Sequence, residues 1–138
     1  MWSKIRMHFT DDETPWCAAA VGAWLEDAGI RSTRSAAARS YHKWGVQFTG
    51  PAVGSIVVFW RGSPTGPFGH VGIVVGRDQF NNVMVLGGNQ GDEVNIRPFS
   101  TNRVLSYRWP SNHPIPARQG MQTLPIINSS GQVSTNEQ

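Results

Sequence analysis

Cysteine occurs only once among the 138 residues of this chain, at Cys17. An internal disulfide and a multi-cysteine zinc cage are both excluded, which leaves the thiol inert, intermolecular or reactive. Charge is scarce as well: charged residues make up 15% of the chain and the formal net charge is +3. The basic and acidic side chains are scattered, with no run long enough to form a tail. The balance favours an anionic surface, without the basic stripe expected of a nucleic-acid binder. No uninterrupted apolar run reaches about 18 residues, so no stable membrane insertion is expected. The start, "MWSKIRMHFTDDET", lacks the apolar stretch and small-residue cleavage site of a secretory signal. The four histidines are scattered without metal-ligand spacing and there is no HExxH, so neither a metal site nor any other cofactor is expected.

Six tryptophans, 15 glycines and 39% hydrophobic residues describe a globular, turn-rich chain of a length suited to one core. In "ETPWCAAAVGAWLEDAG", Thr14 can cap a helix, Pro15 suits its first position, and Gly29 can end it. Val21, Trp24, Leu25 and Ala28 recur at helical spacing, with Cys17 one turn before Val21, so a helix of about four turns is expected with Cys17 facing inward in its first turn. Ala36, Ala37 and Ala38 predict a second helix from about residue 35 to 44, ending at Gly45.

Beyond Pro51 the period changes. "SIVVFW" (55–60), "HVGIVVG" (70–76), "NVMVLGG" (82–88), "EVNIRPF" (93–99) and "VLSYRW" (104–109) are short, β-branched or aromatic, and bounded by turn residues. Helices followed by strands predict an α+β fold: N-terminal helices packed on a mainly antiparallel sheet of about five strands. "RDQFNN" and "NQGD" read as hairpin connections and "RGSPTGPFG" as a longer loop. From residue 111 the composition turns polar and rich in Pro, Ser, Asn and Gln. The expected organisation is one domain over 1–110 and a polar tail over 111–138, with "LPII" (124–127) docking on a partner or neighbour.

Three residues are candidates to carry the chemistry. A helix start stabilises a thiolate through its dipole and free N–H groups, so Cys17 reads as a nucleophile, against the alternative of a small buried core residue. His70 opens a strand, where an imidazole can be held as the base that takes the thiol proton and returns it to a leaving amine. A structural histidine is the competing explanation. Asn89, one strand later in "LGGNQGDEV", can accept the other imidazole N–H and fix the ring, or it can simply serve a Gly-rich turn. Asp92 and Glu93 are rivals for that partnership. Trp16, Trp60 and Phe68 are candidates to line a groove at the site, or to pack in the core.

"TPWCAAAVGAWLEDAGI", "SAAARSYHKWG", "VGSIVVFWRG", "GHVGIVVG", "VLGGNQGDEVNIRPF" and "VLSYRWP" resemble, in order and spacing, small phage and bacterial proteins of the CHAP and NlpC/P60 group of cell-wall cysteine hydrolases. The resemblance covers roughly residues 10–110, and departs from the group's usual Gly-Asp pair at Gly54-Ser55. It implies a papain-like fold and amide hydrolysis in peptidoglycan, by an amidase or endopeptidase. Cys17 is implied as nucleophile, His70 as base and Asn89 as the orienting polar residue. The Cys17 amide is a candidate oxyanion donor.

With no signal of its own expected, such a protein would be made in the cytoplasm and reach the wall through a pore, a virion or a secretion system. A virion or secretion partner would be met through the tail. The alternative from another class is a non-catalytic structural or wall-binding phage component that keeps the fold.

Overall fold

The computed structural model describes residues 16–35, 37–66, 69–89 and 93–130; the side chains of Trp16, Asn89 and Glu93 are outside the description. Helix α1 spans Trp16–Asp27, 12 residues and just over three turns. Thr14 and Pro15, the expected cap and first position, lie outside the described residues. The other end is closed by a Schellman motif. The Gly29 amide donates to the Glu26 carbonyl (3.0 Å) and the Ile30 amide to Leu25 (2.8 Å), and Gly29 takes the left-handed φ of +79° that this turn demands. Ala28, expected on the buried face, belongs to this turn and is exposed. The helix enters the fold at its start: Cys17, Ala18, Ala19, Ala20 and Val21 are all buried. Four alanines and glycines among residues 18–22 keep the first turns slim enough to be surrounded.

The second helix is shorter and tighter than expected, a 3-10 helix over Ala38–Lys43. Upstream hydroxyls hold the approach to this segment in local side-chain-to-amide bonds. Ser32 Oγ accepts from Arg34 N (3.0 Å), Thr33 Oγ1 from Ser35 N (3.3 Å) and Ser35 Oγ from Ala37 N (3.0 Å). Such side-chain bonds compete directly with helix formation and outweigh the propensity of the alanines. Ala38 and Tyr41 anchor the segment in the core.

Six strands follow: β1 (Val46–Phe48), β2 (Ile56–Trp60), β3 (Gly69–Arg77), β4 (Val83–Asn89), β5 (Glu93–Phe99) and β6 (Val104–Trp109). They form one sheet in the order β1-β6-β2-β3-β4-β5, and every neighbouring pair is antiparallel. The sheet thus has one strand more than expected. The addition, β1, is three residues long and lies on the end of β6, where Phe48 stacks on Trp109 with ring centroids 5.4 Å apart.

Both faces of the sheet are covered. On the α1 side, Ile56, Val58 and Val71 pack with Cys17, Ala18, Val21, Leu25 and Tyr41. On the other side, Val57, Phe59, Val74, Val83, Val85 and Phe99 pack with Leu124. Each fully buried Val or Leu is worth about 1.5–3 kcal/mol, so the second cluster matters as much as the first.

Leu124 comes from the segment expected to lie outside the core. After residue 110 the chain turns back to its own sheet. The Gly120 amide donates to the Pro51 carbonyl (2.7 Å), Arg77 N to Pro125 O (2.9 Å) and Ile127 N to Arg77 O (2.7 Å), with a parallel bridge between Arg77 and Ile126. Ser129 Oγ donates to Asp78 Oδ2 (2.6 Å), and Ser129 and Gln79 exchange two further bonds. Leu124 docks on this chain's own second cluster, where Met121 also packs. Leaving that cluster uncovered would expose Val57, Phe59 and Val85 to water.

Candidate functional site

Cys17 is the second residue of α1 and has no exposed surface. Three backbone amides point at its sulfur: those of Val71 on β3, of Ala18 and of Cys17 itself. The last two are the free N–H groups of a helix start. Burial dominates and pushes the thiol from 9.0 up to about 11, while the three amides and the charge of Arg61 pull the other way. The resting thiol is therefore protonated at neutral pH, in a pocket already equipped to stabilise negative charge once it forms.

His70 is the second residue of β3 and is 2% exposed. Its ring is stacked on Phe99 (centroids 4.9 Å, 17° between planes) and lies 6.0 Å from Phe59, which itself stacks on Phe99 at 4.7 Å. β4 passes close to this ring at Gly87. A Cβ on Gly87 would stand 3.3 Å from His70 Nε2. Ahead of His70, Arg39 ties down the long loop, donating to the Ser63 carbonyl (2.6 Å) and the Pro64 carbonyl (2.8 Å).

The Cys17 sulfur lies against the Val71 amide, next to His70 along β3, and the His70 and Val71 side chains leave the strand on opposite faces. Val71, whose amide faces the sulfur, packs with the α1 cluster, whereas His70 joins the Phe59 and Phe99 side. Successive strand residues point to opposite faces, which is why the His70 and Val71 side chains part in this way. The register pairs of β3 with β4 end at Ile73 and Leu86, although both strands continue. The Cys17 sulfur and the His70 ring thus flank the stretch where β3 and β4 run on beyond their ladder.

Asn89 is the last residue of β4, two beyond Gly87, and pairs across the ladder with Glu93. Asp92 and Phe68 lie outside the described residues, as do the side chains of Trp16, Asn89 and Glu93. Trp60 ends β2, half-buried, with the Arg103 guanidinium 4.8 Å from its ring centroid. A cleft of about 350 Å³ beside Ile30, Arg31, Trp44 and His113 lies at the far end of α1, a helix about 18 Å long. It is therefore separate from Cys17.

Four contributors went unseen in the sequence: the Val71 amide, Arg61, Arg39 and Phe99. A backbone N–H has no sequence signature. Arg61 and Arg39 look like any other scattered cations, and Phe99 reaches His70 only through strand order.

The model of the CHAP domain family matches residues 9–89 of the chain. The chain belongs to the CHAP domain family. The match runs from before α1 through the end of β4, so it includes Cys17, His70 and Asn89. Membership makes this a peptidoglycan hydrolase-like domain whose substrate class is the bacterial cell wall, and one helix on a mostly antiparallel sheet is compatible with the papain-like architecture expected. No curated protein and no solved structure gives a significant match. Among the described residues of this CHAP domain, no helix is long and apolar enough to cross a membrane, and no three His, Cys, Asp or Glu side chains are grouped to hold a metal ion.

Proposed function

We propose that this CHAP domain hydrolyses an amide bond in the peptide part of peptidoglycan, as an amidase or endopeptidase, with Cys17 as nucleophile, His70 as base and Asn89 as the residue that orients the imidazole. The observation that carries this is the convergence of three amides and the Arg61 charge on a single buried sulfur beside the His70–Val71 peptide. A core cysteine has no need of such a donor set, whereas a group that becomes anionic during a reaction does.

Because the thiol is protonated at rest, proton removal accompanies attack. His70 accepts the thiol proton as Sγ bonds to the carbonyl carbon, and a helix-start amide receives the developing oxyanion. The imidazolium then protonates the departing amine and leaves a thioester on Cys17. Water, deprotonated by His70, cleaves the thioester to a carboxylic acid and restores the thiol. Trp16, Trp60 and Phe68 supply apolar contact with the wall peptide. The biological setting is phage-derived lysis or wall penetration, with delivery through a pore, a virion or a secretion system.

Complete burial of Cys17 and its raised pKa favour a second reading, a structural or wall-binding component that keeps the fold without catalysis. One experiment separates the two. Purified sacculi are incubated with the native protein and with Cys17→Ser, and soluble fragments are identified by mass spectrometry. Catalysis releases amide-cleaved fragments with the native protein only, both proteins having the same circular dichroism. Binding to sacculi with no fragments from either protein would establish the non-catalytic reading.

A further inference from the structure

The cleft beside Trp44 lies outside the catalytic proposal, at the far end of α1 from Cys17. Three stretches of irregular chain enclose it: residues 29–32 after α1, Trp44 and Gly45 after the 3-10 helix, and Pro110, Ser111 and His113 after β6. Each wall is fixed by its own bonds. The Schellman turn holds the first, together with the Ser32 amide and hydroxyl, which both donate to Glu26 Oε2 (3.0 Å each). The third is closed by Trp109 Nε1 donating to the Pro114 carbonyl (3.0 Å). It is drawn against the second at Gly45, where φ is +64° and a Cβ would collide with the Trp109 carbonyl. The cleft is therefore pre-formed, and its volume of about 350 Å³ suits a small ligand or one unit of a polymer.

Trp44 supplies the apolar surface. Its indole N–H donates to the Arg31 carbonyl (3.0 Å), and its ring meets the buried Tyr41 ring in a T-shaped contact, centroids 5.7 Å apart and 64° between planes. The residue is half-buried. A clamped indole whose polar atom is already bonded offers the cleft ring surface alone. The other walls are polar, and of both kinds. Arg31 and Ser111 are exposed; the guanidinium only donates, and the hydroxyl donates and accepts. His113 Nδ1 lies 2.9 Å from the Ser111 carbonyl. A carbonyl only accepts, so Nδ1 carries the proton of this bond, and Nε2 of the neutral ring is an acceptor. A flat apolar surface bordered by donors and acceptors matches a pyranose, whose C–H face is apolar and whose edge hydroxyls both donate and accept. A phosphate calls for donors alone, and an aliphatic side chain would leave the polar walls unpaired.

We propose that this cleft is a subsite for a sugar of the wall's glycan strand, an N-acetylated hexosamine stacked on Trp44 and hydrogen-bonded by Arg31, Ser111 and His113. The acetamido carbonyl gives Arg31 an acceptor that a plain hexose lacks. The proposal rests on the cell-wall substrate class of the CHAP family and not on the Cys17 chemistry, so it holds for a catalytic and for a wall-binding protein alike. The subsite would grip the glycan strand about one helix length, roughly 18 Å, from the sulfur.

The test is a ¹H–¹⁵N titration of the full chain with three probes: the β-1,4-linked tetramer of N-acetylglucosamine, the glucose tetramer maltotetraose, and a sugar-free stem peptide. The N-acetylglucosamine tetramer should shift the Trp44 indole and Gly45 amide signals and bind more tightly than maltotetraose, while the stem peptide leaves both signals in place. Trp44→Ala should weaken the tetramer about tenfold or more, as for loss of an aromatic anchor. Arg31→Ala keeps the backbone carbonyl that receives Trp44 and should weaken it several-fold; if Trp44→Ala fails to fold, Arg31→Ala and His113→Ala, both at exposed positions, decide the matter. Signals unmoved by the tetramer, or affinities unchanged in the folded variants, would overturn the subsite. Equal affinity for maltotetraose, or shifts produced by the stem peptide instead, would overturn its assignment to a wall sugar. Sacculus digestion is read separately: fragments without a tetramer shift would refute this subsite and leave the Cys17 proposal standing, and a tetramer shift without fragments would do the reverse.

Discussion

Iodoacetamide should alkylate Cys17 slowly at neutral pH and faster only as the solution approaches pH 11. The reacting species is the thiolate, and the balance at this sulfur runs against it: burial outweighs the Val71, Ala18 and Cys17 amides and Arg61 and sets the thiol at about 11. At pH 8 about one Cys17 in a thousand is then ionised, against about one in ten for a thiol at the ordinary 9.0. Ionisation alone makes alkylation about a hundredfold slower than that of an unperturbed thiol, and the absence of exposed surface slows it further. The assay is the second-order rate from intact-protein mass spectrometry between pH 5 and 11. A fast rate that is flat from pH 5 to 8 would refute the reasoning, because it would mean that a thiolate–imidazolium pair already exists at rest. The same shift has a stability consequence. The folded protein holds the Cys17 proton more tightly than the unfolded chain, so this contribution is intact below about pH 9. It is lost as pH rises from there to about 11, by at most about 3 kcal/mol. Tyr107 and Tyr41 are also shifted upward, mainly by burial, so the comparison is between native protein and Cys17→Ala, which should lack this part of the alkaline decline.

Three further outcomes follow from particular contacts. Asn89→Ala should lower turnover about ten- to a hundredfold with some activity remaining, the range for loss of a group that orients a catalytic imidazole; if it is fully active and Asp92→Ala or Glu93→Ala is not, the partner is a carboxylate. Glu26 is held down to about 2, first by the Arg34 side chain and then by the Ser32 amide. Its contribution is present above about pH 4.5 and fades as pH falls toward 2, and in Glu26→Gln acid unfolding monitored by circular dichroism should lose that component. Leu124→Ala should destabilise the protein by about 2–4 kcal/mol in urea unfolding, since Leu124 is 4% exposed against the second cluster; no change would show that the returning segment is not part of the folded core.

The parts of the fold that could be read in the sequence are those governed by local pattern. β2 to β6 lie within one residue of the positions expected, because each is a short β-branched or aromatic run between turn residues. β1 was not legible: "VQF" alternates too briefly to stand alone and becomes a strand because β6 offers it an edge. The Ala36–Ala38 run suggested an α-helix because propensity was visible, while the competing hydroxyl-to-amide bonds of Ser32, Thr33 and Ser35 are a matter of geometry. In the segment after residue 110, "LPII" was legible as an apolar docking element but its target was not: Leu124, with Met121 beside it, docks on this chain's own second cluster. The same limit applies to the site. Cys17 at a helix start and His70 at a strand start were legible as positions. Which face of β3 meets α1 was not, because this strand is apolar on both faces: Val71 serves one cluster and Val74 the other, so alternation alone does not orient it.

The central claim is that Cys17 becomes covalently acylated by a wall peptide. The most direct test is to quench a reaction of the native protein with purified muropeptides in acid, digest it, and weigh the peptide that contains Cys17. The account predicts an adduct with the mass of the acyl part of the cleaved muropeptide, carried on Cys17, released by hydroxylamine and lacking in Cys17→Ala. Cleaved muropeptides produced at equal rates by the native protein and Cys17→Ala, with no adduct on this peptide, would contradict it.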